Sequence, residues 1–246
     1  RWPAAGDDFA LGPGGLEEWL RAGEAVGWTA REIVAAAGKL LEADRAALAA
    51  APPTSPASRA GTDVLAELEG AVEEARCFAR EQGWPLAGSE RLRVAAGWGE
   101  TDGEAGWLWL PGPRDDPVAV PILYLATGTE PPSRGSLEDL AVGAWAACLL
   151  QRPSGSRVPG EARRRFPSPA FREGWAGLAR DLMAEAGYGR DRPGWRRVAA
   201  SRAVLEDCRL VCVAGLHAAG MSLGEAGAVF GEEAGLAEAS ARAEAL

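Results

Sequence analysis

The chain has 246 residues, 47% of them hydrophobic and 25% charged, enough for one large domain or two small ones with a substantial core. Its formal net charge is −9, which argues against a nucleic-acid binder, since that needs a basic patch. No apolar run reaches the roughly 18 residues that a membrane-spanning helix requires, so neither nucleic acid nor a membrane is the expected partner.

Ala and Gly dominate and Lys is scarce, which reads as a bias of genome composition. The start carries no signal-peptide pattern, but the first residue is Arg1 and not Met, so the true N-terminus can lie outside this sequence. Cys77, Cys148, Cys208 and Cys212 are scattered through helical patterns, with no disulfide framework, and read as reduced, buried thiols. A cytoplasmic protein is the expectation; the oligomeric state is open.

Residues 1–15 are rich in turn formers. A first helix follows, with Leu16, Trp19 and Leu20 on one face, and ends near Gly27. The second opens with Thr29 as N-cap and Glu32 three residues on, a capping box, with Trp28 and Ile33 spaced for a hydrophobic staple. Ile33, Ala36, Ala37, Leu40, Leu41 and Leu48 continue it, and Pro52-Pro53 stops it. Residues 52–62 form a linker. A third helix runs from Asp63 to Gln82 on the stripe Leu65, Leu68, Val72, Ala75 and Phe78 or Ala79, with Gly83 as the residue that ends it.

From Arg91 to Ala126 the period changes. RLRVAAGW, GWLWLP and VAVPILYLA are short, β-branched or aromatic, and bounded by Gly, Pro and Asp, so they predict two or three strands. Pro121 makes the last an edge or irregular strand.

A helix then begins at the Ser136-x-x-Asp139 pair, with Leu137, Leu140, Ala141, Ala144 and Cys148 on its apolar face. The connection after it holds Arg152, Arg157, Arg163, Arg164 and Arg165, a solvated loop or a contact for an anionic ligand. Ser168-Pro169 starts the next helix and Gly187 ends it. A long helix from Trp195 to about Ala219 carries Val198, Arg202, Leu205, Cys208, Val211, Cys212 and Leu216. Ser222 and Glu225 cap another with Val229 and Phe230, and Leu236 to Leu246 forms a last short one. The fold class is mainly α, a single multi-helix domain over 1–246 with a small β region of two or three strands. Within it lie a helical N-terminal part (1–85), a strand region (91–126) and a C-terminal helical part (136–246).

Residues able to carry chemistry are few. Neither a phosphate loop, a dinucleotide fingerprint nor a Gly-x-Ser-x-Gly elbow is present. Cys208 and Cys212, four apart, are spaced to share a soft metal but lack further Cys or His ligands nearby. Glu138 and Glu173 sit at helix starts, where a carboxylate is also favoured by the helix dipole. His217 near a helix C-terminus reads as a charged cap or a core histidine.

The run Glu173-Gly174-Trp175-Ala176-Gly177-Leu178-Ala179-Arg180 resembles the Glu-Gly-Trp-Ala-Leu-Tyr-Ala-Glu motif of the bacterial domain-of-unknown-function-885 family (DUF885), a family that looks like a gluzincin-type branch of the zinc metallopeptidases. The segments Leu11 to Ala50, DVLAELEGAVEEARCFAREQGWPL, Gly215-Leu216-His217-Ala218-Ala219-Gly220 and GLAEASARAEAL are similar to further family segments in the same order. Family members begin earlier and continue further, so the resemblance implies a central-to-C-terminal portion or a shortened relative.

The resemblance also implies where chemistry would lie. The family's His-Glu-x-x-Pro-Gly-His-His motif falls on the helix from Ser136. It puts Leu137 at the first histidine, Glu138 at the general base, and Gly143 and Ala144 at the later histidine pair. Glu173 falls at the third ligand, Val213 at an aspartate, Arg180 at the closing glutamate, and His217 is retained. The strand beside that helix, Val118 to Ala126, would bind the backbone of a peptide substrate.

A catalytic zinc needs three protein ligands and an open position, and His217 is the chain's single histidine. The expectation is therefore a non-catalytic, metal-free relative, a binding or scaffold protein with a peptide or small molecule in the old cleft. A metal-independent hydrolase using Glu138, Glu173 and His217 as a vestigial acid–base set, or a still active peptidase-like hydrolase, is the enzymatic alternative. A purely structural or oligomer-forming protein, with some of its 10 tryptophans at an interface, is a third.

Overall fold

The computed structural model describes residues 9–53, 63–84, 86, 91–97, 106–111, 119–126, 132–149 and 169–245. Eight α-helices and three strands lie among them: α1 (Gly12–Trp19), α2 (Ala30–Ala50), α3 (Val64–Glu81), β1 (Arg93–Ala96), β2 (Gly106–Trp109), β3 (Ile122–Leu125), α4 (Arg134–Leu149), α5 (Pro169–Ala186), α6 (Pro193–Ala214), α7 (Leu223–Glu232) and α8 (Glu238–Glu244). This is the mainly α fold with a small β region that the periodicity predicts. No helix among the described residues is long and apolar enough to cross a membrane.

The chain divides into two compact units, residues 52–199 and the pair of segments 1–51 and 200–246, with the division falling inside α6. In the unit formed by 52–199, α4 is the central element. Ten of its residues are buried, Leu137, Ala141, Val142, Trp145 and Cys148 among them, and α3 and α5 pack on it. Its small residues allow close approach. A methyl group added to Gly135 would collide with the backbone of Gly194, so the start of α6 rests directly on the first turn of α4. The core is completed by Leu68, Val72 and Ala75 of α3, Leu123 of β3, Met183 of α5, Tyr188 and Trp195.

The sheet order is β1-β3-β2, with β3 parallel to β1 and antiparallel to β2. The reading of Val118 to Ala126 as an edge strand is thereby corrected: β3 is central, paired on both sides. Pro121 lies one residue before the strand, where its missing N–H costs no ladder bond, and its carbonyl accepts the N–H of Arg93.

In the unit formed by 1–51 and 200–246, α1 continues through a π turn (Leu20–Glu24) and α6 through another (Gly215–Ala219). The capping boxes at Thr29–Glu32 and Ser222–Glu225 are both made, and Glu17 Oε1 accepts the Ala30 N–H as a further cap. Val204, Cys208 and Cys212 of α6, Phe230 of α7 and Ala241 of α8 form the core, joined by Leu41 and Leu48 of α2. Three expectations are corrected here. Trp19 and Leu40, placed on apolar stripes, are exposed, and so is Trp28, the proposed staple residue. Periodicity finds the right helices but not which end of a stripe has something to pack against.

Candidate functional site

The sequence points to the pair α4 and α5. Helix α4 starts three residues earlier than the Ser136 reading predicts. The Ser133 hydroxyl accepts the Ser136 N–H at 3.0 Å and its carbonyl accepts the Leu137 N–H, so Ser133 is the cap. Asp139 is thus freed from capping. It is fully buried and accepts the Nε–H of Arg180, on α5, at 2.8 Å. A Cβ at Gly143 would lie 3.4 Å from Nη2 of Arg180, so the guanidinium lies over that glycine. Trp175 of α5 donates its indole N–H to the Ala146 carbonyl of α4 at 2.8 Å. Leu137, Ala144 and Trp145 are buried, and Trp84 stacks on Trp145 at 5.8 Å between ring centres. The two helices pack against each other.

Glu138, read as a carboxylate at the start of a helix, is 5% exposed. Its Oε1 accepts Nε of Arg134 at 3.1 Å and has Nε of Arg192 at 3.7 Å. Arg134 also grips both oxygens of Glu74, on α3, at 2.7 and 2.8 Å, and Arg192 reaches Glu74 Oε2 at 3.3 Å. Arg192 lies over the ring of the buried Tyr188, 4.4 Å from its centre. Two arginines and two glutamates therefore tie together α3, α4 and the turn before α6. Burial pushes the pKa of Glu138 up, and the charges of Arg134 and Arg192 only partly offset it. At Glu74 burial also pushes upward, but the hydrogen bonds and charges of Arg134 and Arg192 together outweigh it, and its pKa is lowered.

Glu173 falls in α5, but its side chain is outside the described residues. So are the arginine-rich connection at 152–165 and the Ser168 cap. His217 belongs to the unit formed by 1–51 and 200–246, in the π turn after α6. Its Nδ1 accepts the Leu11 N–H at 3.4 Å and its ring meets the edge of Phe9 at 5.9 Å. It anchors the start of α1.

These residues do not fit a zinc ion. Leu137, Gly143 and Ala144 bring no donor atom, and Asp139 already engages Arg180. Among the described residues no group of three His, Cys, Asp or Glu is placed to hold a metal. Cys208 and Cys212 are buried, with burial pushing each thiol up to about 11, and Cys212 donates to the Ala226 carbonyl at 3.7 Å. Such thiols are inert packing groups.

A groove of about 310 Å³ lies between α3 and β1, lined by Glu69, Val72, Arg76, Leu92, Arg93 and Val94. Among the described residues β1 pairs with β3 alone.

Sequence reasoning names Glu138, and the i,i+4 spacing of Arg134 and Glu138 is legible without a structure. Glu74, Arg192 and the Asp139–Arg180 pair are long-range partners, and nothing in their local spacing gives them away.

Fold and site define a mainly helical protein in which a buried ion pair joins α4 to α5 and a charged clamp ties α4 to α3 and the turn before α6. The family model described as Bacterial protein of unknown function (DUF885) matches residues 155–246, so that part of the chain is similar to the DUF885 family. No curated protein matches the chain.

Two solved structures, both described as a "putative lipoprotein", are similar. One, of unknown function, from Shewanella oneidensis, has a TM-score of 0.74 at 19% identity, covering 96% of this chain and 49% of the other. The second, from Colwellia psychrerythraea, has a TM-score of 0.68 at 16% identity, covering 93% and 44%. The chain spans about half the length of these structures. At such identities the likeness is one of fold.

Proposed function

We propose that this chain is a non-catalytic relative of zinc metallopeptidases that keeps the paired-helix scaffold and acts as a binding or scaffold protein. One observation carries the reading: the Asp139–Arg180 ion pair lies between α4 and α5, where the resemblance would put metal chemistry. A guanidinium repels a divalent cation and occupies the carboxylate that would draw one in. The donor-free Leu137, Gly143 and Ala144 remove the other ligands.

With Asp139 and Arg180 joined between the helices, a peptide or small molecule would bind on the surface instead. The groove between α3 and β1 offers Leu92, Arg93 and Val94 to such a ligand. The lipoprotein description of both structural neighbours favours an envelope-associated location over the cytoplasmic one expected from the sequence.

The experiment is a peptidase assay on a mixed peptide library, with and without added zinc, alongside fractionation of the native host. The reading predicts no cleavage in either condition and recovery with the envelope. Zinc-dependent cleavage abolished by Glu138→Gln would overturn the non-catalytic reading; recovery in the cytosol would overturn the location.

A further inference from the structure

His217 is the chain's single histidine. It sits half-buried in the π turn Gly215–Ala219, and α1 and α7 pack on that turn. Its Nδ1 accepts the Leu11 N–H at 3.4 Å, and its ring stands perpendicular to that of Phe9, 5.9 Å away between centres. Leu11 is the N-cap residue of α1, and its side chain makes no capping bond. Among the described residues its N–H has no other partner. The lone pair on Nδ1 therefore holds the chain where it enters α1.

An imidazole nitrogen accepts a hydrogen bond only while it carries no proton, so this contact keeps the proton of the neutral ring on Nε2. A second proton must go to Nδ1. It turns the acceptor into a donor and sets two N–H groups against each other. The charged ring has other company at hand, because the open carbonyls at the C-terminal end of a helix favour a cation.

No carboxylate masks this exchange. The turn carries no charged residue besides His217. Helix α1 carries Glu17 and Glu18, and α7 carries Glu225 and Glu232. Glu17 accepts the Ala30 N–H and Glu225 the Ser222 N–H. On α6 the charged residue nearest in sequence, Arg209, is held by both oxygens of Glu244. Among the described residues none of these groups forms an ion pair with the imidazole.

We propose that His217 is a pH-operated latch: neutral, it holds the segment Phe9–Leu11 on the π turn, and protonated, it lets that segment go. The latch works within the unit formed by 1–51 and 200–246 and needs no ligand in the α3–β1 groove. It switches between about pH 8 and about pH 5, the range in which histidine is the side chain that changes charge. Neutral conditions secure the entry to α1 and acid frees it.

Solvent-exchange NMR on the full chain tests this. Each amide rate is divided by that of an unstructured peptide at the same pH, which removes the pH dependence of exchange itself. The protection of the Leu11 amide should fall by about two- to tenfold on acidification, the worth of one hydrogen bond, with the same midpoint as the ring resonances of His217. The Ile33 N–H, bonded to the Thr29 carbonyl at 3.0 Å in the same unit, should not change. His217→Asn keeps an acceptor near the Nδ1 position and takes up no proton, so Leu11 should stay protected throughout.

Constant protection of Leu11 while the His217 ring takes up its proton would overturn the proposal. So would an equal loss at Ile33, or the same loss at Leu11 in His217→Asn. Should the variant fail to fold, the comparison of Leu11 with Ile33 in the parent decides alone.

Discussion

Arg180 of α5 donates to Asp139 of α4 across 2.8 Å, with the aspartate side chain 1% exposed and the arginine 13%. The two residues are 41 apart in sequence and hold the helix pair together. A pair this deep gains little over two apolar side chains of the same size, but removing one member leaves a stranded charge.

Arg180→Met should therefore cost about 3–5 kcal/mol in a denaturant titration, and the double variant Asp139→Leu/Arg180→Met should recover most of it. A loss of only a few tenths of a kcal/mol for the single variant would mean that the ion pair does not hold α4 to α5.

Glu74 gives a prediction with a definite pH sign. Its pKa is lowered by Arg134 and Arg192, so the folded state binds its proton less readily than the unfolded chain. The stability it brings is present above the ordinary glutamate value and lost as pH falls through the lowered one. Glu74→Gln should destabilise at neutral pH by about 1 kcal/mol, a figure discounted because the side chain is 40% exposed, with the difference vanishing in acid. Equal losses at neutral and acid pH would show that shape, not charge, is at work.

Gly135 is where α4 and the start of α6 touch. Gly135→Ala should cost about 1–3 kcal/mol, because the obstacle is the rigid backbone of Gly194 and not a movable side chain. The same approach sets Arg192 beside Glu138, so a crystal structure of the variant should show the 3.7 Å separation lengthened. An unchanged separation with full stability would remove the contact from the account.

How much of this was legible beforehand differs by level. The capping boxes at Thr29–Glu32 and Ser222–Glu225 and the end of α3 at Gly83 could be read because each is a local pattern with a local physical cause. The strand segments were legible too, but not their order. Pro121 argued for an edge, while the deciding fact is that its missing N–H falls one residue outside β3.

Glu138 was found as a residue and misjudged in its surroundings. Nothing in Ser136-x-x-Asp139 says that Ser133 caps the helix, that Asp139 turns inward, or that Arg192 returns to cover Glu138. Ion pairs between residues 41 or 118 positions apart are products of packing and leave no mark on local periodicity.

The most direct test of the central claim is a calorimetric zinc titration of the purified full chain, backed by elemental analysis of protein prepared with zinc in the medium. With Asp139 held by Arg180, and with Leu137, Gly143 and Ala144 at the positions that the resemblance gives to ligands, neither experiment should find a stoichiometric site. One zinc per chain, bound tightly and lost in Asp139→Ala or Glu138→Ala, would contradict the account.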